Sequence, residues 1–233
     1  MLSDQRRTPI LRVLVGSRAH NLHEEDSDFD YRGVFVIPTV DLLALGKNVK
    51  NTNWVEGKID DTSWEVGHFL FMATKCNPNI LDVFRVKSLH ELPMEDALFG
   101  SSLQKLWPHI LSRRAVRDAF LGYSHNQFKK MMDQEAVDTP RVWKFGVTYL
   151  RALAGGIELL QTGGYTLYTY GPWRDFLKHV RAGEVSRGVI IDKAVELQAD
   201  IHRAYSETVL PEAPNLEAVN EYLLDVRQFY WNW

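Results

Sequence analysis

The chain has 233 residues, 45% hydrophobic and 24% charged, enough apolar material for one large or two small domains and too much for a disordered segment. Twenty-seven basic against thirty acidic side chains leave a net charge of −3, which excludes a blanket attraction for nucleic acid but allows a local basic patch. A single cysteine, Cys76, rules out intrachain disulfides and thiolate zinc centres; with no signal-peptide core near Met1 and no apolar run near the ~18 residues of a membrane span, a soluble, cytoplasmic protein with no membrane partner is expected.

The first predicted element is a strand over 10–15, β-branched and apolar, stopping at a Gly16-Ser17 turn. A polar stretch over 20–27 precedes a second strand over 28–37, which ends at Pro38 and has Gly33 as a candidate bulge. A weaker third strand is expected over 53–63, with Gly57 inside it. Strands this close in sequence favour a small mixed or antiparallel sheet over a βαβ unit. After Ser63, a plausible N-cap, the apolar period becomes helical and halts before Asn77-Pro78; a short helix follows over 79–86. From 101 onward the chain reads as helix. Thr139-Pro140 starts a long one that closes on Gly163-Gly164, and others are expected over 172–181, 185–206 and 215–227, with an aromatic connection over 165–171. The predicted class is α+β: a domain over 1–95 built on a small mixed or antiparallel sheet with helices, then a C-terminal helical domain over 96–233.

Residues two apart on a strand project to one face, so Asp28 and Asp30 set two carboxylates side by side. Ionising both costs free energy unless a cation sits between them. Such a pair suits Mg²⁺, which takes few protein oxygens and fills its other positions with water and phosphate. Upstream, Gly16-Ser17 ends a strand and opens a helix, where free N–H groups point at an anion and glycine admits a phosphate. Alone, each is an ordinary turn or solvated loop. Together they describe a site for metal-bound phosphate. A calcium loop starting at Asp26 fails, because Tyr31 and Ile37 stand where it needs Gly and Glu.

Gly16-Ser17-Arg18-Ala19, then Asp26-Ser27-Asp28-Phe29-Asp30-Tyr31-Arg32-Gly33-Val34, resembles the signature of predicted nucleotidyltransferases of the DNA polymerase β-like superfamily. More narrowly it resembles the bacterial and phage family of RNA-repair-associated, polymerase-β-type nucleotidyltransferases, to which the Arg-Gly-Val tail is more specific. Asn77-Pro78-Asn79, Gly183-Glu184 and Leu210-Pro211 also sit where that family has similar residues. The resemblance implies transfer of a nucleoside monophosphate from a nucleoside triphosphate to an acceptor, with pyrophosphate released. It makes Asp28 and Asp30 ligands of two Mg²⁺ (or Mn²⁺) ions, and Gly16 and Ser17 part of the nucleotide site. A third carboxylate has three candidates, Asp60, Asp61 and Glu65; Asp60 best matches the family's acidic position, and a plain polar turn is the alternative. Lys144, Thr148 and Arg151 fall at i, i+4 and i+7 on one helix face. By itself that stripe reads as solvated; the resemblance makes Lys144 and Arg151 a cationic pair for the β- and γ-phosphates.

Two departures stand out. His20-Asn21 replaces the family's Tyr-Gly, with Asn21 able to hold a left-handed turn, and Thr148 stands where a His is expected. The family points to an RNA or tRNA end as acceptor, with Lys129, Lys130, Arg141, Lys144 and Arg151 as a partial basic track. The rivals are nucleotidylation of a protein or small molecule, and a non-catalytic, antitoxin-like nucleotide-binding module. Arg18 and Arg32 either touch phosphate or compensate the carboxylates. His20 and His23 read as ordinary loop histidines before zinc ligands. Trp64, Phe69 and Phe71 read as core. The aromatic chain end from Phe229 reads as packing against the helical domain or a subunit interface. Nothing in the sequence sets the oligomeric state.

Overall fold

In the computed structural model, which describes residues 7–47, 49–55, 59–86, 94–133 and 140–232, the β-rich first third forms one four-stranded mixed sheet. Strands β1 (Thr8–Val15) and β2 (Phe29–Val36) run antiparallel, β2 and β4 (Ile59–Glu65) run parallel, and β3 (Thr52–Val55) closes the edge antiparallel to β4. The class is α+β, as predicted. The single strand expected over 53–63 is two paired strands; Gly57 lies outside the described residues. A glycine between two short strand-forming runs reads equally as an interruption or as a hairpin, and alternation alone does not decide.

The sheet's irregularity also lies elsewhere than expected. Its register shifts between Pro9 and Leu11 in β1, which lets the consecutive residues Ile10 and Leu11 both be buried. Gly33 instead keeps register with Arg12 and Ser63. Its missing side chain answers crowding: a Cβ there would sit 3.0 Å from the Leu11 carbonyl oxygen and 3.2 Å from Ser63 Cβ. β2 is central, and Val34, Phe35 and Val36 are all buried, as in a strand covered on both faces.

Helix α1 (Gly16–Ala19) follows β1 directly, and α2 (Thr39–Leu43) follows β2. α3 (Val66–Thr74) packs on β2 and β4. Its cap is Glu65 and not Ser63: the carboxylate accepts from the Gly67 amide at 2.8 Å. Phe69 is buried and Trp64 half-buried, but Phe71, expected in the core, is 61% exposed on the outer face of α3. In α4 (Pro78–Arg85), Asn77 caps through the Asn79 amide at 3.1 Å and Pro78 takes the first turn, where its missing N–H costs nothing. α5 (Met94–Lys105) crosses β1 so closely that a Cβ on Gly100 would stand 2.1 Å from the Ile10 carbonyl oxygen.

After α6 (Trp107–Ile110), helices α7 (Arg113–Met132), α8 (Pro140–Thr162) and α10 (Arg187–Glu207) pack together, with α9 (Gly171–Ala182) against α8. Thr139, the expected cap of α8, lies outside the described residues. α11 (Leu216–Phe229) turns back to the sheet. There Arg227 meets the buried Glu65 carboxylate at 2.6 Å, and Thr39 Oγ1 donates to the Arg227 carbonyl at 2.6 Å. Tyr230 is buried against Phe99 of α5, and its carbonyl accepts from the Thr39 amide, so the aromatic end packs on α2 and α5. One continuous buried cluster runs from Ile10 to Tyr230. Burial pushes the Cys76 thiol up to about 11, leaving it inert at neutral pH. Among the described residues no helix is long and apolar enough to cross a membrane.

Candidate functional site

β1 hands over to α1 at Gly16, whose φ of +69° suits glycine. Space demands glycine as well: a Cβ would fall 2.2 Å from Asp30 Oδ2, so the Asp30 carboxylate lies against the main chain of the turn. Asp28, one residue before β2, is exposed, and among the described residues no hydrogen bond or ion pair engages its carboxylate. Asp28, Asp30, Gly16 and Ser17 line one cleft of about 520 Å³. Arg18 clamps this wall: its guanidinium donates to the Ser27 carbonyl at 2.7 Å and the Asp28 carbonyl at 3.3 Å, and stacks 4.0 Å over Phe29. Asn21 adopts φ +58°, the left-handed turn expected of it. It is tied to the aromatic connector by its side-chain amide on the Thr169 carbonyl at 3.0 Å.

The three candidate third carboxylates separate cleanly. The Asp61 carboxylate pairs with Arg12 at 3.0 Å, and that guanidinium stacks on Tyr31 at 3.9 Å. Glu65 is buried, occupied by the α3 cap and by Arg227. The Asp60 side chain lies outside the described residues, but its backbone is in register with Asp30 across the parallel β2–β4 pair. Asp61, one residue on, falls on the face opposite to that of Asp30. Among the described residues no group of three metal-binding side chains comes together. The fit to a divalent ion rests on the acidic pair and on the Gly16 cradle that a Cβ would fill. The donors are all oxygen, which suits Mg²⁺ or Mn²⁺.

Across the cleft, α8 presents Lys144, Thr148 and Arg151, the predicted stripe. Lys144 is exposed, and Thr148 turns its hydroxyl back onto the Lys144 carbonyl at 2.9 Å. Arg32 from β2 and Arg181 from α9 add cations to the lining. Asn79, from the Asn-Pro-Asn segment, reaches the cleft and accepts from the Tyr123 hydroxyl at 3.2 Å. Of the basic track, Lys130 and Arg141 flank the Phe145 ring at 5.5 and 6.0 Å, near the end of the α7–α8 pair. Lys129 is exposed beside them.

His20 is the residue the sequence hid. It sits in the turn after α1, as a loop residue would, but is 5% exposed and paired. Arg151 Nη2 stands 2.7 Å from its Nδ1, and Asp82 Oδ2 stands 3.3 Å from its Nε2. A guanidinium only donates, so Nδ1 must be the acceptor, and Nε2–H then points at Asp82. Burial, and after it the Arg151 charge, lowers the His20 pKa from its usual 6.5, consistent with a neutral ring. Burial acts to raise Asp82, but the His20 ring, Arg151 and the Tyr165 hydroxyl outweigh it and hold the carboxyl low. Burial, reinforced by the Asp82 charge, pushes the Tyr165 and Tyr123 hydroxyls up. His20 and Arg151 lie 131 residues apart, so no local pattern links them.

A family model described as the RNA repair pathway DNA polymerase beta family matches residues 3–170, which span the acidic wall, α4 and all of α8. No curated protein matches the chain.

Proposed function

The chain belongs to the RNA repair pathway DNA polymerase beta family, and from that membership we propose that it transfers a nucleoside monophosphate from a nucleoside triphosphate to an RNA or tRNA end, releasing pyrophosphate. The observation that carries this reading is the Asp30 carboxylate lodged against the Gly16 main chain, with Asp28 open beside it in the same cleft.

Asp28 and Asp30, with Asp60 as their register neighbour, would hold Mg²⁺ or Mn²⁺. Divalent ions there supply charge stabilisation to the attacking and leaving oxygens of an in-line displacement. The Gly16-Ser17 turn offers amide N–H groups to the triphosphate where no Cβ obstructs its approach. Lys144 and Arg151 face the acidic pair from α8 and neutralise the β- and γ-phosphates as the leaving pyrophosphate gains charge. Arg18 acts on the wall itself, holding the 27–28 carbonyls so that Asp28 keeps its place. The family's description supports an RNA acceptor, and the cations at the end of the α7–α8 pair give a polynucleotide phosphates to meet.

Incubation with each α-labelled nucleoside triphosphate, Mg²⁺ and total RNA tests the proposal. Label is expected on RNA with wild type and not with Asp28→Asn. Label on protein instead would move the acceptor to a polypeptide. Nucleotide binding without any transfer, equal in wild type and in Asp28→Ala/Asp30→Ala, would leave a non-catalytic binding module.

A further inference from the structure

We propose that His20 and Asp82 are positioning residues for Arg151: a neutral imidazole, anchored on a buried-side carboxylate, aims the guanidinium into the cleft. The proposal rests on the reading of Arg151 as a phosphate-binding residue. Arginine is long and flexible, and an unheld guanidinium would fold onto the nearest carboxylate. Asp82 could bind Arg151 directly, but a direct pair would neutralise the charge the phosphates need and occupy two of its N–H groups. With the ring between them, Asp82 orients His20, and His20 takes a single N–H of Arg151 at 2.7 Å. Among the described residues that is the only hydrogen bond the guanidinium makes, leaving its other donors for a ligand.

The Leu167 carbonyl oxygen lies 3.3 Å from the same Nδ1. In the neutral ring both atoms carry lone pairs, so Leu167 becomes a partner only when Nδ1 gains a proton. That proton would remove the acceptor for Arg151. Protonation of His20 therefore exchanges Arg151 for Leu167 and frees the guanidinium. The groups facing the ring are Asp82 from α4, Arg151 from α8 and the Leu167 carbonyl from the connector. Tyr165 of the connector acts through Asp82, and Tyr123 of α7, bonded to Asn79, lies within reach of the Asp82 charge.

The test is calorimetric binding of Mg²⁺-loaded inorganic triphosphate, which reads the cationic wall without catalysis or base preference. Arg151→Met and His20→Ala are each expected to weaken binding by about tenfold at pH 7.5, the scale of losing an orienting partner. His20→Asn, whose side-chain oxygen can accept from Arg151 as Nδ1 does, should restore most of it. Because burial and Arg151 lower the His20 pKa, wild type should lose affinity beyond the change seen in His20→Asn only on the acid side of 6.5, and His20→Asn shares the titration of the triphosphate itself. Nitrogen NMR of the wild-type ring should show the Nε2–H tautomer. If Arg151→Met weakens binding while His20→Ala does not, the positioning role is overturned and the phosphate role of Arg151 stands. Wild-type binding by Arg151→Met would instead overturn the reading beneath it. Should His20→Ala not fold, an Nδ1–H tautomer in the wild-type ring decides against the proposal.

Discussion

The acidic wall of the cleft comes from residues 15–30, a strand end, a four-residue helix and the start of the next strand, whereas the opposite wall is drawn from α4 and α8 with single residues from α7, α9 and the connector. The first wall is held by contacts within one short stretch of chain: Gly16 against Asp30, and Arg18 on the 27–28 carbonyls. The second depends on the packing of the helical part, and its central cation is oriented by a histidine 131 residues away. Such a site separates two demands. The carboxylates that hold metal must not move, and a short rigid segment achieves that. The cations that meet the triphosphate must be placed at a distance from those carboxylates, which only tertiary structure can do.

That contrast can be broken at several points. The largest effect is expected on the acidic wall: Asp28→Asn should lower the transfer rate by more than about a thousandfold with the melting temperature kept. A mutant that melts early but still transfers label would make Asp28 structural. Arg227→Met, remote from the cleft, should show the reverse. It strands the buried Glu65 carboxylate and costs about 3–5 kcal/mol in denaturant unfolding, while the folded fraction keeps its triphosphate affinity. A fall in that affinity would tie the α11 junction to the site.

Smaller effects sharpen the comparison. Gly16→Ala brings a Cβ within 2.2 Å of Asp30 Oδ2 and strains a φ of +69°. About 1–3 kcal/mol of stability and about a hundredfold in rate should go together, measured by thermal melts and label transfer. Asp61→Asn breaks only a part-exposed pair with Arg12. Unfolding should change by less than about 1 kcal/mol, with transfer near wild type. A loss as deep as that of Asp28→Asn would make Asp61, and not its neighbour Asp60, the third carboxylate.

Legibility in the sequence followed the range of the interactions. The Gly16-Ser17 turn and the break at Asn77-Pro78 are local devices readable from residue type and spacing, and the left-handed Asn21 follows from the family's glycine at that position. The β3–β4 pair was merged into one strand because a glycine's role depends on the partner strand. Ser63 reads as the cap because capping preference is statistical, while Glu65, which caps in the structure, gains a buried partner in Arg227 from the far end of the chain. Gly33 was read as a bulge when close packing of three strands requires it. His20 was unreadable for the same reason: its meaning lies in Asp82 and Arg151, and no periodicity reports a contact between the turn after α1, α4 and α8.

The most direct measurement is manganese anomalous scattering from crystals soaked with Mn²⁺ and a non-hydrolysable nucleoside triphosphate. The expected map has manganese bound by both Asp28 and Asp30, with the triphosphate on the Gly16-Ser17 turn. Manganese elsewhere, or those two side chains turned to opposite sides of β2 with the turn empty, would contradict the metal site and the transfer reaction built on it.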